Sequence, residues 1–147
     1  MQLTLQKAYT PPLLPSDAEL RHWAQLALAD HTPDSLLIRI TDRTESQALN
    51  HQYRGKNQPT NILSFPFVAP PGLPHDHLGD LVICAPVVTQ EATDQHKPEI
   101  AHWAHLVIHG VLHLRGYDHQ NPAEATHMET LECQMLHTLG YPNPYQL

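Results

Sequence analysis

In the first half of the chain, apolar residues recur at every second position in some segments and at every third or fourth position in others. The first pattern predicts strands and the second predicts helices. Leu3 to Lys7 alternates between apolar and polar residues, which predicts an edge strand. Ser16 and Glu19 form a capping box that opens a helix. The helix has an apolar stripe at Leu20, Trp23, Ala24, Ala27 and Leu28. The β-branched run from Leu36 to Ile40 predicts a second strand, and a second helix runs from about Thr44 to Gly55.

The second half predicts two more strands and then three helices. Ile62 to Val68 is predicted as a strand that Pro66 pushes toward a sheet edge, and Leu81 to Cys84 as a buried strand. The three helices run from Pro86 to about His96, from Pro98 to about Arg115, and from Asn121 and Pro122 to Gly140. The last of them has an apolar stripe at Met128, Leu131, Met135 and Leu139. This order predicts an α+β fold, a small mixed β-sheet packed against several helices, as a single domain over residues 1–147.

Length and composition are those of an ordinary globular domain. The chain has 147 residues, of which 41% are apolar, so it can bury a core without disulfides. Cys84 and Cys133 lie far apart and form no C-x-x-C pair, which argues against a disulfide scaffold and a cysteine-built zinc site. The N-terminus has no apolar core of a secretory signal, and no stretch approaches the ~20 apolar residues of a membrane helix. We therefore expect a cytoplasmic protein with no membrane contact.

The net charge argues against a polyanionic partner. It is −7 with histidine neutral, whereas proteins that bind nucleic acid usually carry a basic patch. The eight basic residues are scattered, and only Arg54 and Lys56 lie close together. An acidic surface suits docking onto basic proteins at least as well as it suits RNA.

Histidine is the residue type that stands out. The chain has 13 histidines, and five of them, at positions 102, 105, 109, 113 and 119, fall in one short segment. His109 and His113 are four residues apart, so on a helix their imidazoles lie on one face and can reach a shared ion. His119 joins them only if the chain turns back, and Gly116 is placed to end the helix in a left-handed conformation that allows this turn.

Three imidazoles predict a catalytic metal site. Structural zinc sites usually have four protein ligands, whereas catalytic sites keep one position for water and turn that water into a nucleophile at neutral pH. His109, His113 and His119 therefore predict a metal-dependent hydrolase with one zinc-type ion. The neighbouring His105 is expected to pack or form hydrogen bonds instead. We expect His102, His127 and His137 to lie at the surface or to be satisfied by hydrogen bonds in the core, without binding the metal.

The spacing H-x3-H-x2-G-x2-H matches the extended zincin pattern, so the metal-binding helix is predicted to be zincin-like. Zincin peptidases carry a glutamate general base directly after the first histidine, but Gly110 takes that place here. This absence argues against peptide hydrolysis by the usual route. Asp118, beside the third histidine, is a candidate for orienting a ligand or relaying protons, and is as well explained as a turn residue.

The histidine segment resembles a known family. HGVLHLRGYDH, at positions 109–119, is similar to the signature H-G-x-L-H-L-x-G-Y-D-H of the YbeY endoribonucleases, the bacterial rRNA maturation factors. Segments 53–66, 78–84 and 139–141 also resemble that family, so the similarity extends from about residue 35 to the end. Asn57 and Asn61 depart from it, because many relatives have aspartate there.

The resemblance implies a zinc-dependent, single-strand-directed endoribonuclease of 16S rRNA 3′-end maturation and ribosome quality control. It implies one Zn²⁺ on His109, His113 and His119, with Arg54 as the basic residue of the cleft and RNA and the ribosome or ribosomal proteins as partners. A guanidinium suits this place because it can bind a phosphate through two hydrogen bonds. Two alternatives stay open: a metallopeptidase, and a non-catalytic ribosome assembly factor whose zinc supports the fold.

Overall fold

Strands and helices occur in the order predicted from the sequence. The computed structural model describes residues 1–30, 35–68, 70–72, 77–118 and 120–145. Its elements in chain order are β1 (Gln2–Lys7), α1 (Asp17–Leu28), β2 (Ser35–Thr41), α2 (Arg43–Arg54), β3 (Ile62–Pro66), β4 (His77–Cys84), α3 (Ala85–Asp94), α4 (Glu99–Leu114) and α5 (Pro122–Thr138). None of the helices in the described ranges is both long and apolar enough to cross a bilayer.

Within the described residues, four strands form one mixed sheet in the order β1-β2-β4-β3. β1 and β2 are parallel, as are β2 and β4, whereas β3 pairs antiparallel with β4. β1 and β3 are therefore the two edges of the sheet. The predicted α+β fold with a small mixed sheet is confirmed.

Helix α4 is the central helix of the fold and carries the histidine segment. Most of its residues are buried, including Trp103, Val107 and Leu112, which pack in one core with the inner face of the sheet. Every fourth residue from Ala101 onward, which includes His109 and His113, is only partly buried. The helix therefore fills the core with most of its circumference and leaves one row of histidines at the border of the core.

Local signals explain where α1 begins and where α2 begins and ends. Ser16 and Glu19 form the predicted capping box of α1, and the predicted stripe of that helix is buried. The N-cap of α2 is Asp42 and not Thr44, since its carboxylate accepts a hydrogen bond from the backbone N–H of Glu45. α2 ends as predicted at Gly55, which has a left-handed φ of 71°.

Candidate metal site and catalytic cleft

Two imidazoles on α4 stand parallel, one turn apart. The ring centroids of His109 and His113 are 6.4 Å apart, and their planes differ by 5°. This arrangement follows from the spacing of four residues, which places both side chains on the same helix face. The structure thus brings the first two predicted metal ligands together.

The Nδ1 atom of each of these rings contacts a hydrogen-bond acceptor. His109 Nδ1 lies 2.6 Å from Oε1 of Glu132, and His113 Nδ1 lies 3.1 Å from the backbone oxygen of Tyr117. A carbonyl and an ionised carboxylate can only accept, so in the neutral rings Nδ1 carries the proton and Nε2 the lone pair. Histidines that bind metals usually have their second nitrogen engaged in this way, which sets tautomer and orientation.

Glu132 is a fully buried carboxylate on α5. Burial would raise the pKa of this carboxyl, but hydrogen bonds from two imidazoles and one phenol lower it to about 2. The carboxylate is therefore ionised at neutral pH, which makes it the acceptor of the His109 hydrogen bond. The pKa of Tyr145 is raised, mainly by burial and next by the hydrogen bond to Glu132. The phenol therefore stays protonated and donates to Oε2 of Glu132.

His105 belongs to the same network. Its Nε2 lies 3.2 Å from the hydroxyl of Tyr145 and 3.5 Å from Oε1 of Glu132. Burial lowers the pKa of His105, while the charge of Glu132 opposes that shift. The predicted packing and hydrogen-bonding role of His105 agrees with these contacts.

His105, His109 and Glu132 form a second group that could hold an ion, since their ligand atoms all lie within 4.8 Å of one another. An ion bound by both His109 and Glu132 would hold their ligand atoms about 3.3 Å apart, given zinc bond lengths and a tetrahedral angle. The observed contact of 2.6 Å is a hydrogen bond with no room for an ion between the two atoms. The arrangement therefore fits a carboxylate that supports His109 better than one that binds the metal.

The turn after α4 follows the prediction as far as the described residues extend. The helix ends at Leu114, and Gly116 adopts a left-handed φ of 102°. The Tyr117 amide hydrogen-bonds to the oxygen of Leu112, so the chain reverses there. His119 lies outside the described residues, and its place as third ligand stays a prediction. Asp118 is partly buried, and its role likewise stays a prediction.

The two histidines form one wall of a cleft of about 360 Å³. The other residues that line it are Tyr53, Arg54, Ile62, Leu63, Ser64 and Phe65. The end of α2 and the edge strand β3 thus lie across from the histidine row of α4. Arg54, which is exposed, is placed there by the end of its helix at Gly55. The structure therefore brings Arg54 into the same cleft as His109 and His113, and its catalytic role stays a prediction.

Gly110 lies where α4 approaches the sheet. A Cβ atom at this position would lie 2.7 Å from a methyl of Ile62 and 2.8 Å from one of Leu81, both shorter than normal contacts. A glutamate here, as in zincin peptidases, would meet the side chains of the sheet. Glycine therefore lets α4 pack closely against these two side chains.

Comparison with known proteins identifies the family. The family model described as endoribonuclease YbeY matches residues 16–140. The chain is 57% identical over 146 residues to endoribonuclease YbeY of Methylococcus capsulatus, which covers 99% of this chain and 96% of that relative. The chain belongs to the endoribonuclease YbeY family. Endoribonuclease YbeY of Alkalilimnicola ehrlichii is 58% identical over 139 residues, which is 91% of this chain and 84% of that protein.

Membership in the YbeY family confirms two predictions from the sequence, the family itself and the class of enzyme, a nuclease hydrolase. The solution structure of TM1509 from Thermotoga maritima matches with a TM-score of 0.59 at 18% identity, over 99% of this chain and 100% of that one. At that identity the likeness supports the fold alone. The zincin-like character of the metal helix stays a prediction.

The sequence analysis did not predict that Glu132 supports His109. Of the predicted apolar stripe of α5, Met128 is buried, and Leu131, Met135 and Leu139 are partly buried against the core. The two other buried residues of this helix are Glu132 and Leu136. The available signal was Glu132 itself, which lies one turn after Met128 in an otherwise apolar row. A carboxylate in such a row is buried and needs hydrogen-bonding partners. Tyr145 carried no local signal, since it reaches Glu132 from the C-terminal segment.

Proposed function

We propose that this chain is a zinc-dependent, single-strand-directed endoribonuclease with one ion held by His109, His113 and His119. The observation that carries the proposal is the pair of parallel imidazoles whose Nδ1 atoms contact Glu132 and the Tyr117 carbonyl, at the wall of a cleft that also holds Arg54. Two rings with this orientation fit a borderline metal ion that prefers nitrogen ligands.

The chemistry divides between the ion and the residues of the chain. A zinc-type ion supplies Lewis acidity toward water or a phosphate oxygen. Arg54 binds the scissile phosphate with two parallel hydrogen bonds and stabilises the negative charge that builds up as the phosphorus is attacked. We assign Asp118 to holding or moving a proton beside the third ligand, a role that rests on its position in the sequence.

The substrate class is RNA, which the printed names of the relatives support. We propose the 16S rRNA precursor as the target, within 3′-end maturation and ribosome quality control in the cytoplasm, because the histidine signature resembles that of rRNA maturation factors. The net charge of −7 favours a second contact with basic ribosomal proteins, which would bring the acidic enzyme to its RNA.

Metal removal tests the proposed activity. Protein stripped with a chelator is expected to lose cleavage of a labelled single-stranded RNA and to regain it with one equivalent of Zn²⁺, while a duplex of the same sequence stays intact. The measurement is the initial rate of cleavage, with circular dichroism as a control for folding.

Two other results would replace the proposal. Metal-dependent cleavage of a protein substrate, with RNA untouched, would establish a metallopeptidase. Unfolding of the stripped protein, with no RNA cleavage at any metal load, would establish an assembly factor with a structural zinc.

A further inference from the structure

An aromatic pair lies in the cleft beside Arg54. The rings of Tyr53 and Phe65 meet edge to face, with centroids 5.1 Å apart and planes at 71°. Tyr53 comes from the last turn of α2 and Phe65 from the edge strand β3, and both line the same cleft as His109 and His113. Tyr53 is 59% exposed, although contact with Phe65 restricts its ring. The function proposed above gives this exposed ring no role.

The side chains that line this cleft supply little positive charge for binding RNA. Arg54 is the only lysine or arginine among the described residues that line it, and the whole chain carries a net charge of −7. Each phosphate contact adds salt-dependent affinity, so a single arginine contributes little against an acidic background. Beside the charge of the proposed ion, a short-range interaction with another part of the nucleotide would add affinity that does not depend on salt.

A base is the part of the nucleotide that an exposed aromatic ring can bind. Every base has a π-face, and stacking on an aromatic side chain holds single strands with little dependence on sequence. The cleft volume of about 360 Å³ is at the lower end for small-ligand sites, and it suits one nucleotide. Tyr53 and Arg54 line the same cleft, so a base on the ring and a phosphate on the guanidinium can belong to neighbouring parts of one strand.

We propose that Tyr53, supported by Phe65, is a stacking site for an unpaired base next to the phosphate that Arg54 binds. The proposal rests on the proposed RNA cleavage and gives it a physical basis for single-strand preference. Bases inside a duplex are already stacked on both faces, so only an unpaired base can reach the ring.

Tyr53→Ala and Tyr53→Phe test the stacking site, since phenylalanine keeps the ring. Binding is measured by fluorescence anisotropy at low temperature with a labelled single-stranded RNA and with its duplex. We expect Tyr53→Ala to weaken binding to the single strand by about 5- to 100-fold, and Tyr53→Phe to change it by about twofold or less. Duplex affinity stays the same in both variants. His51→Ala removes an exposed ring from the same helix outside the cleft and is the matched control.

A titration with small probes separates this proposal from the proposed function. Adenosine 5′-monophosphate and ribose 5-phosphate differ only in the base, and nuclear magnetic resonance can follow both without any turnover. The wild type is expected to bind the nucleotide more tightly, and Tyr53→Ala is expected to lose that difference. Equal binding of both probes by the wild type, or single-strand affinity unchanged in Tyr53→Ala, would overturn the stacking site while leaving RNA cleavage intact. A wild type that never cleaves RNA, yet prefers the nucleotide, would overturn the proposed function alone.

Discussion

His113→Ala is expected to lower the rate of RNA cleavage by about 1000-fold. The Lewis acidity of a bound ion contributes several kcal/mol to the stabilisation of a transition state, and about 4 kcal/mol corresponds to a factor of 1000. His113 is partly buried at the border of the core, so the truncation removes one imidazole without opening a large cavity. Initial rates on a labelled single-stranded RNA at saturating Zn²⁺ measure the effect.

His137→Ala is the matched control for this substitution. His137 is exposed in the last turn of α5, and it should keep full activity and the same melting temperature. Cleavage by His113→Ala within a factor of about three of the wild type would contradict the role of this imidazole, since losing a metal ligand costs far more.

Glu132→Gln is expected to weaken Zn²⁺ binding by about 10- to 100-fold, because the residue that orients a metal-binding histidine affects affinity on that scale. The amide lacks the charge that holds the proton on His109 Nδ1, while its size preserves the packing. Glu132→Ala should weaken binding further and lower the free energy of unfolding of the metal-free protein by about 3 kcal/mol, because buried hydrogen-bonding partners lose their acceptor. Competition with a zinc-binding dye measures the affinity, and urea denaturation the stability.

Glu124→Gln changes an exposed carboxylate in the first turn of the same helix, outside the residues that line the pocket of His109 and Glu132, and should leave zinc affinity unchanged. Tyr145→Phe removes only the hydroxyl that donates to Glu132 and contacts His105, so its effect on metal affinity should be smaller than that of Glu132→Gln. Unaltered zinc affinity in Glu132→Gln would show that the contact of 2.6 Å between His109 and Glu132 has no part in metal binding.

The sequence predicted the fold wherever a local pattern decided the structure. The capping box of α1 and the Asn121–Pro122 start of α5 are contacts within one helical turn, and both are present. β4 is longer than predicted, beginning at His77, because its first residues pair with β2 and β3 and show no apolar run of their own. β3 ends at Pro66 and not at Val68, where the sequence analysis placed its end. This earlier end agrees with the lack of an N–H on proline to donate to a neighbouring strand.

The candidate site was predictable only in part, for the same reason. His109 and His113 are four residues apart on one helix, so their spacing alone predicts their juxtaposition. The contact from His109 to Glu132 joins residues 23 positions apart, and it depends on how α5 packs against α4. The contact between Tyr53 and Phe65 likewise depends on how α2 ends against the edge strand. No periodicity within one element encodes such contacts.

The metal content of four proteins tests the central claim most directly. Wild type, His113→Ala, His119→Ala and His105→Ala are equilibrated in the same zinc buffer, and their zinc is counted by elemental analysis. Ligation by His109, His113 and His119 predicts one zinc per chain in the wild type and in His105→Ala, and nearly none in the other two variants. An empty His105→Ala beside a fully loaded His113→Ala would contradict the claim and would place the ion at His105, His109 and Glu132.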